Sequence, residues 1–215
     1  MKSCLEGDTR TVTPMLDQLW SDGAVVTRVQ GILLPEEADE FVRQGEGMFS
    51  PSTVIGGASG ESTGRTSNTA HIPKKGNDFV ACIEDRLATM ASHPISHLEP
   101  LQMTEYKKTQ HYRPHHDYFP TAEPGKQRTT TVFTYLKSDN MEDGQCGGAT
   151  MFAELQDASG TPLRVYPKKG DAVMWSNRTL SGDVNVKTLH GGEPVTCDTG
   201  HKIGLNAWFR EGAWL

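Results

Sequence analysis

The sequence has no run of eighteen apolar residues, no excess of lysine and arginine, and no closely spaced pair of cysteines. The first absence excludes a membrane-spanning helix. The second, a formal net charge of −6 over 215 residues, argues against a protein held mainly by nucleic-acid phosphates, because that affinity comes from clustered cations releasing counterions. The third leaves Cys4, Cys82, Cys146 and Cys197 far apart, with no CxxC, so neither a structural zinc site nor a disulfide framework is expected. The first twenty residues carry charges throughout and no apolar stretch of the secretory kind, so a cytoplasmic location is expected.

What is there fits one globular domain: 35% of the residues are hydrophobic, and no break in composition divides the chain. In the first 97 residues the pattern is helical. Pro35 with Glu36 and Glu37 opens a helix expected over about 35–46, with Gly45 and Gly47 near its end. Phe79, Ile83, Leu87 and Met90 recur at three- and four-residue steps and predict a second helix that stops before Pro94. Between them "SPSTVIGGASGESTGRTSNTAHIPKKGN" is rich in Gly and Ser, the composition of a functional loop or lid, or of a disordered connection. From Leu98 onward the period changes to two. "LQMTEY", "RTTTVFTYL", "GATMF", "DAVMW", "NVKTLH" and "KIGLNAWF" are short, often β-branched or aromatic, and separated by turn residues. The expected architecture is α+β but mainly β, with helical support over about 1–97 and a sandwich or jelly-roll barrel over about 98–212.

The stretch "EYKKTQHYRPHHDYFP" concentrates histidines, tyrosines and an aspartate. His115 and Asp117 stand two apart, so on an extended strand both side chains leave the same face and could share an ion. His190 closes "NVKTLH" far along the chain, where a barrel brings distant strands together. Two imidazoles and one carboxylate on one face of an ion leave the opposite positions open, as in non-haem Fe(II) oxygenases; zinc, or a histidine that is merely structural, is the rival reading. In "KIGLNAWF", Lys202, Gly204, Asn206 and Trp208 face one way, while Ile203, Leu205, Ala207 and Phe209 make an ordinary packing face. A lysine on the inside of a barrel is costly unless an anion meets it, and a dicarboxylate would supply one.

In these residues, and in "EPLQMTEY…HYRPHHDYF", "QRTTTVFTYL", "GGATMF", "KKGDAVMW" and "LHGGEPV…HKIGLNAWF" taken in order, the chain resembles the 2-oxoglutarate- and Fe(II)-dependent prolyl 4-hydroxylases over roughly 56–210. The resemblance implies a double-stranded β-helix core, Fe(II) on His115, Asp117 and His190, and 2-oxoglutarate with its distal carboxylate on Lys202, assisted by Tyr106 and Thr150. It implies O2 as cosubstrate and ascorbate as reductant. It also implies a proline-containing peptide or protein partner, held by Glu99, Tyr112, Arg128 and Trp208 and covered by a flexible loop carrying Arg65 and Ser67. The implied reaction hydroxylates C4 of a prolyl residue while 2-oxoglutarate becomes succinate and CO2. Nucleic acid and membrane are not expected partners, and oligomeric state is not legible. Two departures stand out. Thr109 occupies a position where the family usually has Gly, so a turn needing positive φ is expected to be reshaped or absent. His190 and Lys202 lie two residues further apart than usual, which suggests a longer hairpin through "TCDTG". The alternatives are an oxygenase acting on another side chain or a small molecule, and a non-catalytic module for proline-rich peptides. A complete triad together with Lys202 argues for turnover.

Overall fold

A computed structural model of the chain describes residues 1–53 and 64–214. The elements in order are β1 Met15–Trp20, β2 Val26–Gln30, α1 Pro35–Gln44, β3 Ser50–Pro51, β4 Asn68–His71, α2 Asp78–Ala91, β5 Gln102–Tyr106, β6 Tyr112–His115, β7 Arg128–Asp139, β8 Thr150–Gln156, β9 Pro162–Val165, β10 Ala172–Ser176, β11 His190–Gly192 and β12 His201–Arg210. Both helices form where the sequence signals place them. In α1 the Glu37 carboxylate accepts from the Leu34 N–H, and Gly45 caps the end. In α2 the Asn77 side chain accepts from the Val80 N–H, and Ser92 ends the helix in the left-handed region at φ 54.

Among the described residues the strands make an eight-stranded sheet, ordered β1-β2-β10-β7-β12-β5-β4-β3, and a four-stranded sheet, ordered β6-β11-β8-β9. Two packed antiparallel sheets are the expected jelly-roll arrangement. The period of two divides the long strands between two cores. Val132 and Leu136 of β7, with Ile203, Leu205, Ala207 and Phe209 of β12, pack with Phe41, Ile83 and Leu87 of the helices. Phe133 and Tyr135 turn the other way, onto Phe152, Val165 and Trp175 between the sheets. Among the described residues no helix is long and apolar enough to cross a membrane.

Several expectations need correction. The first 97 residues are not only helical support, since β1 to β4 contribute half of the larger sheet. "NVKTLH" is not a strand. The Asn185 side chain accepts from the Lys187 N–H and folds 186–188 into a 3-10 turn, so extended structure begins only at His190. The longer connection from His190 to Lys202 is no hairpin, because β11 and β12 belong to different sheets. The turn at Thr109 is neither reshaped nor lost; Thr109 adopts φ 70 itself, a strained conformation for a β-branched residue. Two disulfides are present, Cys4–Cys82 and Cys146–Cys197, spanning 78 and 51 residues of sequence. Bridges between segments so distant leave no local spacing to recognise. The first anchors the N-terminal segment to α2 beside the buried Arg86–Glu37 ion pair. The second ties the loop before β8 to the loop before β12. Residues 54–63 of the expected lid lie outside the described residues.

Candidate active site

The site lies between the sheets, in a cavity of about 530 Å³. His115 ends β6 and His190 begins β11, and the two are direct partners in that ladder. Each Nδ1 lies 2.9 Å from a backbone carbonyl, Arg113 O for His115 and Thr188 O for His190. Those acceptors place the proton on Nδ1 and leave the Nε2 lone pair facing the cavity. Asp117 is not on the strand; it sits in the bend after β6, which turns its carboxylate toward both rings. The His115 Nε2–Asp117 Oδ1 and His190 Nε2–Asp117 Oδ2 separations are both 3.7 Å, too long for hydrogen bonds. One ligand atom from each of the three residues lies within 4.8 Å of the others.

Electrostatics suit a cation. Burial, reinforced by the charge of His190, lowers the His115 imidazole to about 3, so it is a neutral ligand at pH 7. Burial pushes the Asp117 carboxyl up, but His190, His115 and Arg128, with the Thr131 hydroxyl, outweigh it and bring it to about 2. Asp117 Oδ2 accepts from Thr131 Oγ1 at 2.7 Å and from Trp208 Nε1 at 3.0 Å. Oδ1 accepts no hydrogen bond among the described residues. Two imidazoles and an ionised carboxylate with one oxygen open to the cavity make a donor set that fits Fe(II).

The other end of the cavity suits an anion. Lys202, paired with Tyr106 across β12 and β5, is 1% exposed. Its Nζ donates to Gly148 O at 2.7 Å and stands 4.5 Å from the Tyr106 ring, with no carboxylate partner among the described residues. Burial lowers its ammonium to about 7. Two glycines make the room. Gly148 presents its carbonyl from φ 74, and a Cβ on Gly192 would stand 3.6 Å from Lys202 Nζ, inside the space a carboxylate would use. Thr150 is buried beside it, accepting from the Tyr135 hydroxyl at 2.9 Å.

Toward the mouth, Glu99 takes two 2.8 Å hydrogen bonds from Arg128 and one from Arg210. The Arg128 guanidinium lies 3.8 Å from the Trp208 ring. Tyr112 stacks on His115 with ring centroids 3.7 Å apart, and Arg65 lies 4.8 Å over Tyr112. Eleven of the twelve residues singled out from the sequence line this one cavity. The twelfth, Ser67, is 2% exposed, with its hydroxyl 2.8 Å from Ser52 Oγ and accepting from Arg65 Nε, so it supports Arg65 from behind.

Sequence reasoning missed Thr131 and Asn177 behind Asp117, and Phe133 and Trp175 on the cavity wall. Thr131, Phe133 and Tyr135 share one face of β7 by the period of two. That signal was available but is indistinguishable from ordinary strand threonine.

The model of the 2OG-Fe(II) oxygenase superfamily matches residues 101–210. The chain is 33% identical to a probable prolyl 4-hydroxylase 7 of Arabidopsis thaliana over 83% of this chain and 60% of that protein. It is 31% identical to prolyl 4-hydroxylase 5 of the same plant, over 88% of this chain and 69% of that one, so it spans only about 60–69% of these relatives' length. The fold superposes on a 2-oxoglutarate complex of a viral collagen prolyl hydroxylase from Paramecium bursaria Chlorella virus-1 with a TM-score of 0.66 at 23% identity, covering 86% of this chain and 95% of that one. The chain belongs to the prolyl 4-hydroxylase family of 2-oxoglutarate- and Fe(II)-dependent oxygenases.

Proposed function

We propose that the protein hydroxylates C4 of prolyl residues in a peptide or protein, consuming O2 and 2-oxoglutarate and releasing succinate and CO2. One observation carries the reading: a buried lysine with no acidic partner among the described residues lines the same cavity as a His-Asp-His donor set. An anion and a cation bound together satisfy both ends, and a 2-oxoacid with a distal carboxylate is a molecule that joins them. Bound Fe(II) would supply oxygen activation coupled to the decarboxylation.

The chain's own part is geometry. His115, Asp117 and His190 would hold the ion. Lys202, with Tyr106 and Thr150, would orient the distal carboxylate. Tyr112, Arg128, Glu99, Trp208 and Arg65 border the mouth, where aromatic faces and fixed guanidinium groups suit a proline ring and its flanking carbonyls. The same wall limits water at the reacting carbon. Because strands from residues 15–30 complete the larger sheet, residues 1–215 would act as one unit. The two disulfides support an oxidising compartment over the cytoplasm expected from the first residues.

The test is succinate release with Fe(II), O2 and 2-oxoglutarate across proline-containing peptides, with hydroxyproline identified by mass spectrometry. Stimulation by prolyl peptides and a mass gain at proline are expected. Turnover stimulated only by proline-free peptides or small molecules would refute the prolyl reading; none under any condition would refute the enzyme.

A further inference from the structure

The hydrogen bonding around Asp117 has a direction that bears on how the ion is held. Thr131 is fully buried and Asn177 is 1% exposed. Asn177 Nδ2 donates to Thr131 Oγ1 at 2.9 Å, which commits the hydroxyl proton to Asp117 Oδ2. Trp208 Nε1 is a donor only, and it supplies the second bond to the same oxygen. Both lone-pair positions of Oδ2 are therefore spent, while among the described residues Oδ1 has none engaged. The Trp208 ring is occupied as well, with Arg128 stacked on it and held there by Glu99.

We propose that Thr131 and Trp208 are positioning residues that confine Asp117 to ligation through Oδ1 alone. The inference rests on the proposed function and deepens it. An octahedral ion with two imidazoles and one carboxylate oxygen keeps three open positions, two for a chelating 2-oxoacid and one for O2. A carboxylate bound through both oxygens would leave two, and the cosubstrate would fill them. Trp208, which the family resemblance assigns to peptide binding, thus also acts on the carboxylate.

The experiment counts waters on bound Mn(II) in the 215-residue chain, by line broadening of its EPR spectrum in 17O-enriched water, without 2-oxoglutarate. Wild type should hold three. The double variant Thr131→Val, Trp208→Phe removes both donors while keeping shape and ring, and should hold two, with succinate formation falling about 10–100-fold. Thr131→Ser combined with Trp208→Phe returns one donor and should give a mean between two and three, as W208F alone should. If T131V does not fold, W208F alone reads the same quantity, at a mean between two and three. Three waters in the folded double variant, or in W208F when it alone folds, overturns the proposal, as does a variant whose sole defect is in peptide KM. Failure of the underlying reading looks different: wild type would not bind Mn(II), or would bind it equally well after Asp117→Ala.

Discussion

With Lys202 receiving the distal carboxylate as proposed, 2-oxoglutarate binding would be a proton-linked event. Folding buries the ammonium where its charge is costly, and its pKa falls from 10.5 to about 7, a cost of roughly 5 kcal/mol in the free protein. A bound carboxylate reverses that cost, so the pKa rises on binding and a proton is taken up whenever the free lysine is neutral. The protonated fraction of the free protein falls from about nine-tenths at pH 6 to about one-tenth at pH 8, so affinity should weaken about tenfold over that span. Of the groups lining the same cavity, His115 lies at about 3, Asp117 at about 2, and burial raises both Tyr106 and Tyr112. The stability of the free protein runs in the opposite direction. A depressed lysine is a penalty fully present below pH 7, where the folded form must carry the charge, and it fades as pH rises toward 10.5, so this group makes stability rise with pH. The assay is calorimetric titration of 2-oxoglutarate into Mn(II)-loaded protein from pH 6 to pH 8.5, in buffers of different ionisation enthalpy to read the proton. Lys202→Met should bind about 10–150-fold more weakly at pH 6, show no proton uptake, and approach wild type as pH rises. A flat wild-type profile, or the same slope in the methionine variant, would refute the argument.

Other outcomes follow from single features. His115→Ala, Asp117→Ala and His190→Ala should each abolish coupled turnover and weaken Mn(II) binding sharply; undiminished metal affinity in any one removes that residue from the donor set. Thr109→Gly should stabilise the protein by about 0.5–1 kcal/mol in urea, because relief of the left-handed strain exceeds the added freedom of the unfolded chain; a loss of stability would contradict the strain. Replacing Cys4 and Cys82 by serine should cost up to about 4 kcal/mol of unfolding free energy, measured by denaturant titration, since their bond closes a long loop; no change would mean that the bond does not constrain the unfolded chain. A Cβ on Gly204 would run into the Phe133 ring on the cavity wall, so Gly204→Ala should destabilise by about 1–3 kcal/mol and raise the 2-oxoglutarate KM; wild-type values would mean the ring is free to move.

The cavity end of β12 was legible because a period of two leaves no choice: once Ile203, Leu205, Ala207 and Phe209 are apolar, Lys202 and Trp208 must face the other way. The helices were legible because Pro35 and the spacing of Phe79, Ile83 and Leu87 are local signals. What escaped was settled at a distance. "MLDQLW" becomes β1 only because β2 accepts it at the sheet edge, where four of its six side chains are exposed and no alternation survives. The cysteine pairs are made by the fold rather than by neighbours in sequence. Thr131 acquires its place only when β7 and β12 bring it and Trp208 to the same carboxylate oxygen.

The register that sets His115 opposite His190 would make cation supply a determinant of secondary structure. β6 and β11 are four and three residues long, too short for their own ladder to contribute much, and they belong to distant parts of the chain. A cation held by both histidines and Asp117 closes that interval like a rivet, binding the folded pairing and not the open one. At a hundredfold excess over its dissociation constant it adds about 2.7 kcal/mol. Chelation should accordingly loosen the four-stranded sheet first, leaving the helix-backed sheet, with its separate core, as the more durable half.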